Sequence, residues 1–288
     1  MKSSELKDVL KRSVVVRSLS YCPKKILDKM NNLRYRRSEY AQDIRQFKNK
    51  HLGEACFVIG NGPSLTIEDL ERLQGCPTFA SNLLYKLFDQ TSFRPTYYVN
   101  ADIGFFPTYF NELIQYEGID AYFVGDKGAK IVELPSNAHC FNVQGPFTLK
   151  KGSLKNNDFS LDASHHLALS YTVTYYSLQL AVYMGFKTIY LIGVDHRYAG
   201  HVDEKGKLHQ DSGQERSYAK GIAAPLGAGW NYADSTTYSY YVARQAAEKQ
   251  GVQIINATRG GDLEVFDRID TDAAIGAVSS QITSVKNE

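Results

Sequence analysis

The sequence predicts an α/β fold: a Rossmann-like, mostly parallel sheet with helices on both faces, an N-terminal helical arm and a lid-like loop region. Three observations point there. Short apolar runs rich in β-branched residues alternate with longer helix-like segments. Several of those runs end in Gly, Asn or Asp. The charge is also unevenly spread. The chain has 288 residues, with 33 Lys or Arg and 31 Asp or Glu, yet residues 1–53 hold 14 bases against 5 acids, a balance of +9 that leaves −7 for the rest.

Residues 1–53 read as a basic helical arm. Leu6, Val9, Leu10, Val14 and Val15 recur at helical spacing, followed by Ile26, Leu27, Met30 and Leu33 and a basic run from Arg34 to Arg37. Such a segment lies on an anionic membrane surface, forms an oligomer contact, or is simply a solvated helix. From Glu54 the texture changes. Ala55 to Ile59 (ACFVI) is an apolar run bounded by Gly and reads as a buried strand. Thr66 to Leu73 reads as a helix, with Thr66 and Asp69 spaced for a capping box. Thr78 to Ser81 is a second strand, leading into Asn82 and a helix-like Leu83 to Phe88. Thr96 to Val99 and Ala121 to Val124 are further strands, and Ile131 to Asp158 reads as loop-rich. Thr172 to Met184 is a helix stopped by Gly185. Thr188 to Ile192 is a strand ending at Gly193, Val194 and Asp195. Residues 199–231 are polar and Gly-rich and read as a lid. Thr236 to Gln250 is a helix, Val252 to Ile255 the last strand, and 271–288 a frayed tail.

Several classes are excluded. The longest apolar runs, such as Thr188 to Val194, are far short of the ~20 residues a spanning helix needs. No apolar h-region follows the N-terminus. Cys22, Cys56, Cys76 and Cys140 form no CxxC pair, which fits a reducing, cytoplasmic compartment, with Cys56 a core residue. Nucleic acid is not an expected partner, because the body is acidic and carries no nucleic-acid fold signature.

In an open parallel sheet, ligands sit at the carboxyl ends of the strands. Those ends carry Gly60, Asn61, Gly62, Pro63 and Ser64, then Asn82, then Asn100 and Asp102, then Gly193, Asp195 and His196. Gly60 and Gly62 permit close backbone approach to a ligand, and Ser64 with the next helix start offers donors to a phosphate. The turn is neither GxGxxG nor a P-loop, and it also reads as a plain tight turn. Asn82 and Asn100 either read a base or sugar or are turn residues. Asn100 to Asp102 looks like a degraded DxD motif. One carboxylate is thin ligation, so a metal-independent site is expected, with Mg²⁺ allowed. A histidine near neutral pKa suits general-base work, and His196, His201 and His209 lie at or beyond the Asp195 strand end.

Together, Gly60 to Leu65 (GNGPSL), Thr172 to Ala181, Met184 to Lys187, Ile189 to His196, Asn256 to Thr258 and Leu263 to Phe266 resemble the bacterial and archaeal 6-hydroxymethylpterin diphosphokinase-like family, which includes flagellin-glycosylating motility accessory factors. The resemblance covers roughly residues 54–270. The same elements are similar to Campylobacter-type sialyltransferases, which hold a CMP-sugar without a metal. The resemblance implies that Asn61 and Ser64 touch phosphate or ribose. It implies that Asn82 and Asn100 line the nucleotide cleft, that Thr172 and Thr174 meet sugar or phosphate, and that Asp195 orients base or ribose. The sialyltransferase base is a His just before the helix near Thr236. Here that stretch reads Trp230, Asn231, Tyr232, and His209 instead matches a loop His common in the diphosphokinase-like family.

The expectation is a glycosyltransferase whose catalytic domain spans 54–270. It takes a CMP-sugar, of the nonulosonic or sialic-acid-like class, and a bacterial surface glycan, glycolipid or glycoprotein acceptor. His209 ranks first as base, with His196 and His201 second. The protein is expected in the cytoplasm, peripheral on the inner membrane through residues 1–53, with room for a homo-oligomer. The alternatives are a Mg-ATP-dependent 6-hydroxymethylpterin diphosphokinase and a non-catalytic nucleotide-binding scaffold.

Overall fold

The computed structural model describes residues 30, 33–145, 158–197, 201–202, 208–209 and 233–286. Its centre is a seven-stranded sheet, every neighbouring pair parallel, in the order β11-β8-β1-β2-β3-β4-β5. The strands are β1 (Ala55–Ile59), β2 (Thr78–Ser81), β3 (Tyr97–Asn100), β4 (Ala121–Gly125), β5 (Ala138–Phe141), β8 (Thr188–Ile192) and β11 (Gln253–Asn256). Two small ladders lie apart: β6 (Val143–Gln144) with β7 (Leu167–Ala168), and β9 (His201–Val202) with β10 (Leu208–His209).

All five residues of β1 are buried. Cys56 and Val58 face one core, and Ala55, Phe57 and Ile59 the other. A strand covered on both faces needs an uninterrupted apolar run, which is what ACFVI supplies. The first face is covered by α1 (Glu39–Arg45), α3 (Val173–Tyr183) and α4 (Ala233–Lys249). The second is covered by α2 (Ile67–Arg72), a 3₁₀ turn at Leu84–Leu87, a π-helical turn at Phe106–Phe110 and α5 (Thr271–Lys286). The capping box expected at Thr66 is formed: Asp69 N donates to Thr66 Oγ1 at 3.1 Å and Thr66 N donates to Asp69 Oδ2 at 3.0 Å.

Three expectations need correction. The stretch read as loop-rich contains β5, which extends the sheet beside β4. His139 interrupts its apolar pattern, and the reason is local: its Nδ1 sits 2.6 Å from Asp43 Oδ2 of α1. The tail read as frayed is α5. Ala274, Ile275 and Val278 are buried, and the Gln281 amide accepts from Ala55 N at 3.1 Å and donates to Gly53 O at 3.2 Å. Ala274, Ile275 and Val278 pack in the same core as Ala55, Phe57 and Ile59 of β1. The last part of the stretch read as an arm belongs to the body: Ile44 and Phe47 enter the core, and Tyr35 OH donates to Cys140 O at 2.9 Å. Residues 1–29 of the arm, and most of the lid at 199–231, lie outside the described residues. No helix among the described residues is long and apolar enough to cross a membrane.

Ile275→Ala tests whether α5 is integral. Loss of this buried side chain should cost about 2–4 kcal/mol in denaturant unfolding. A change near zero would mean that α5 does not hold the β1 face.

Candidate active site

The chain leaves β1 towards β2 and leaves β8 towards β11, in opposite directions along the sheet. The carboxyl ends of β1 and β8 therefore flank a topological switch point, where an open α/β sheet has its crevice. The two ends touch. Gly60 N donates to Ile192 O and Gly62 N to Gly193 O, both at 2.8 Å. A Cβ on Gly60 would lie 2.2 Å from Gly193 O, and one on Gly62 would lie 1.9 Å from Asp195 Oδ2. The glycines expected to admit a ligand thus admit the neighbouring strand end, and the exposed Pro63 rounds the turn. Gly193 takes φ +67°, a left-handed conformation that suits glycine.

Asp195 is 6 % exposed. Its Oδ2 accepts from Ser64 Oγ at 2.7 Å and from Ser64 N at 3.4 Å. Burial pushes its carboxyl above the ordinary carboxylate range, and the Ser64 bonds oppose that rise without cancelling it.

A row of amides extends from this contact across β2 and β3. Asn61 Nδ2 donates to Ser81 O at 3.2 Å, tying the β1 end to the β2 end. Asn61 Oδ1 is buried without a partner. Asn82 holds φ +53°, uncommon outside glycine, and its carbonyl accepts from Tyr98 OH at 2.9 Å. Asn100 is 2 % exposed, and neither its Nδ2 nor its Oδ1 has a partner. Each such orphan costs about 1–3 kcal/mol in a folded protein. Asp102 is exposed, and its Oδ1 accepts from Gly104 N at 2.9 Å, closing a turn. Its charge also reaches Tyr176 on α3, whose phenol is pushed up to about 12, chiefly by burial. Among the described residues no three His, Cys, Asp or Glu side chains gather as a metal site.

Thr172 stands at the N-cap of α3, but its hydroxyl makes no capping bond, and Thr174 is buried in the first turn. A helix packed against a parallel sheet starts at the carboxyl edge, so the partial positive N-terminus of α3 lies on the crevice side. His196, at φ +55°, is half-buried. Its Nε2 lies 2.7 Å from Thr237 Oγ1, and its ring meets Tyr240 edge-on at 5.6 Å. Burial holds its pKa below the usual histidine value, with Asp262 opposing. His196 therefore links the β8 end to α4. His201 and His209 are paired in register in the β9–β10 ladder, and their side chains lie outside the described residues.

The loop after β11 was not expected to build the site. Thr258 Oγ1 accepts from Val194 N at 3.1 Å, and Asp262 N donates to Asp195 O at 2.8 Å. Arg259 Nη1 lies 2.6 Å from Oδ2 of the buried Asp69. Burial raises the Asp69 pKa, but bonds from Arg259 and Thr66 outweigh it and hold the carboxyl below its usual range. The Gly260–Gly261 pair is the local signal for a loop here, and Gly261 is the one of the two that lies close to another backbone, at Asp195.

These features define an open, doubly wound parallel α/β protein with polar residues gathered at the strand ends of its switch point. Residues 28–201 match the MptE-like family, 6-hydroxymethylpterin diphosphokinase MptE-like, and the chain belongs to that family. No curated protein matches the chain. Among solved structures it is similar to the MAf glycosyltransferase from Magnetospirillum magneticum AMB-1, at 14 % identity and a TM-score of 0.48, over 78 % of this chain and 35 % of that one. The chain thus spans about a third of that protein's length. It is also similar to the sialyltransferase CstII from Campylobacter jejuni in complex with cytidine-5′-monophosphate, at 16 % identity and a TM-score of 0.41, over 76 % of this chain and 85 % of that one. The CstII complex with CMP-3FNeuAc gives 12 % identity and 0.43, over 76 % and 86 %.

Two variants test the strand-end contact. Gly60→Ala forces a methyl into the Gly193 carbonyl and should destabilise by about 1–3 kcal/mol or more; a neutral result in urea unfolding would contradict the close approach. Asp195→Asn tests the raised carboxyl. A group whose pKa is raised on folding loses its stabilising contribution as pH rises through the raised value. The stability of Asp195→Asn relative to wild type should therefore improve between about pH 3 and pH 7. A pH-independent difference would mean Asp195 titrates normally.

Proposed function

We propose that the chain is a glycosyltransferase that moves a sialic-acid-like (nonulosonic) sugar from a CMP donor to a bacterial surface glycan, glycolipid or glycoprotein. The observation that carries this reading is the unpartnered Asn100 amide, buried at the end of β3 on the same sheet edge as the Asn61 orphan oxygen and the Ser64–Asp195 pair. A buried amide with both atoms idle suits a ligand edge offering a donor and an acceptor together, as a nucleobase or sugar does. The motif resemblance to CMP-using sialyltransferases selects cytidine among the bases.

In this mechanism the acceptor hydroxyl oxygen attacks the anomeric carbon. The bond from that carbon to the phosphate oxygen breaks, and its electron pair leaves with CMP. The hydroxyl proton passes to a base. His209 is placed first in that role. His196 and His201 follow, His196 being engaged by Thr237. Thr172, Thr174 and the α3 N-terminus would face the sugar or phosphate, and Asn82 and Asp102 would border the nucleotide. The donor groups are mainly amides and hydroxyls, which supports transfer without a resident metal. The arm is proposed to place the enzyme on the anionic inner face of the cytoplasmic membrane, where Arg34, Arg36 and Arg45 add exposed positive charge.

The family description supports a second reading, diphosphate transfer from Mg-ATP to a pterin alcohol. A thermal-shift panel of CMP, UDP, GDP and ATP, with and without Mg²⁺, separates the two. CMP should stabilise the protein in EDTA, by mass action. Stabilisation by ATP only with Mg²⁺ would favour the diphosphokinase, and CMP binding with no turnover of a CMP-sugar would favour a scaffold. His209→Ala should lower turnover by ~10²–10⁴ with donor binding kept; unchanged turnover removes His209 from the mechanism.

A further inference from the structure

Arg197 stands two residues beyond the Asp195 strand end. Its Nε lies 3.3 Å from both carboxylate oxygens of Asp262. The two side chains are 57 % and 61 % exposed. Exposed pairs of this kind add little stability, because water competes for both charges. Asp262, in contrast, has a fixed backbone. Its N–H is bonded to Asp195 O at 2.8 Å, and Gly261 packs so tightly on Asp195 that a Cβ there would lie 2.8 Å from the same oxygen. Asp262 therefore holds the Arg197 guanidinium close to the carboxyl end of β8 by a contact that is easily exchanged.

Among the described residues, the neighbouring guanidiniums of Arg259 and Arg268 are already engaged. Arg259 pairs with the buried Asp69 at 2.6 Å. Arg268 donates to Thr258 O at 2.9 Å and pairs with Glu264 at 2.9 Å. Electrostatics adds a demand. Asp195 and Asp102 both carry acid groups at the strand ends, so an anionic ligand there needs a cation to offset them. Arg197 is near enough that its charge lowers the Asp195 carboxyl, against the dominant effect of burial.

We propose that Arg197 binds the phosphate of the donor, exchanging the Asp262 carboxylate for it. The inference rests on the nucleotide-sugar reading above. A guanidinium fork matches two phosphate oxygens, and a desolvating ligand makes that pair stronger than the exposed one it replaces. During transfer the electron pair of the broken carbon–oxygen bond settles on this phosphate, and Arg197 neutralises the added charge. Asp262 is the resting partner that keeps the side chain close to the β8 end when the site is open.

The test is calorimetric titration of the full chain with CMP and with cytidine, which has the same base and ribose but no phosphate. In Arg197→Ala, CMP should bind about 10- to 100-fold more weakly while cytidine affinity is unchanged. Arg197→Lys should recover part of the CMP affinity, and Asp262→Asn should leave it equal or tighter. Because the side chain is exposed, the melting temperature without ligand should match wild type. CMP binding equal to wild type in Arg197→Ala, or an equal loss for cytidine and CMP, would overturn the assignment. A wild-type chain that binds neither CMP nor cytidine overturns the donor reading and Arg197's role with it, a result distinct from Arg197→Ala behaving as wild type.

Discussion

The close approach of the β1 and β8 ends organises the rest of the carboxyl edge. Two backbone bonds, Gly60 to Ile192 and Gly62 to Gly193, bring the turns together. The Ser64 hydroxyl and amide then satisfy a carboxylate that burial would otherwise make costly. Other parts hang from this contact. The loop after β11 is attached through Thr258 to Val194 and through Asp262 to Asp195. It is attached again through Arg259 to the capped start of α2. Removing the close packing at Gly60 would loosen several elements at once, because neighbours that share partners do not respond independently.

Beside this well-bonded contact lies a row that is poorly satisfied. Asn61 and Asn100 leave buried polar atoms idle, and Asn82 and His196 hold left-handed backbone conformations. A folded protein keeps such features where the surroundings over-determine them, and they concentrate at binding sites. Ser64, Asp195 and Thr258 are tied down, while Asn61, in the same turn as Ser64, and Asn100, two strands away, keep buried polar atoms without partners. The rigid part can thus hold the unsatisfied part in place, which is the arrangement that preorganised recognition requires.

The histidines separate along the same lines. His51 lies with Nε2 2.6 Å from Tyr97 OH and its ring stacked on Phe186. His139 is held by Asp43 and rests edge-on against Phe47. Both join the segment around α1 to the sheet. His196 joins β8 to α4. These rings use their polar atoms as structural links between elements, and their roles follow from what packs beside them rather than from residue type.

Sequence alone determined the strands β1, β2, β4 and β8, the α2 cap and the set of strand-end residues. Each depends on local rules: continuous apolar runs for doubly covered strands, and Ser or Thr spaced from Asp for a cap. It also placed Gly60 and Asp195 on the same edge of the sheet, since the carboxyl-edge rule needs only strand direction; that β1 and β8 are neighbours came from the strand order of the folded sheet. Tertiary structure decided what the glycines approach, because their contact is with residues more than a hundred positions away. It likewise decided that α5 is a packed helix, that β5 completes the sheet, and that Arg259 and Asp262 hold the site together. Those outcomes come from long-range burial and pairing, which override weak local patterns.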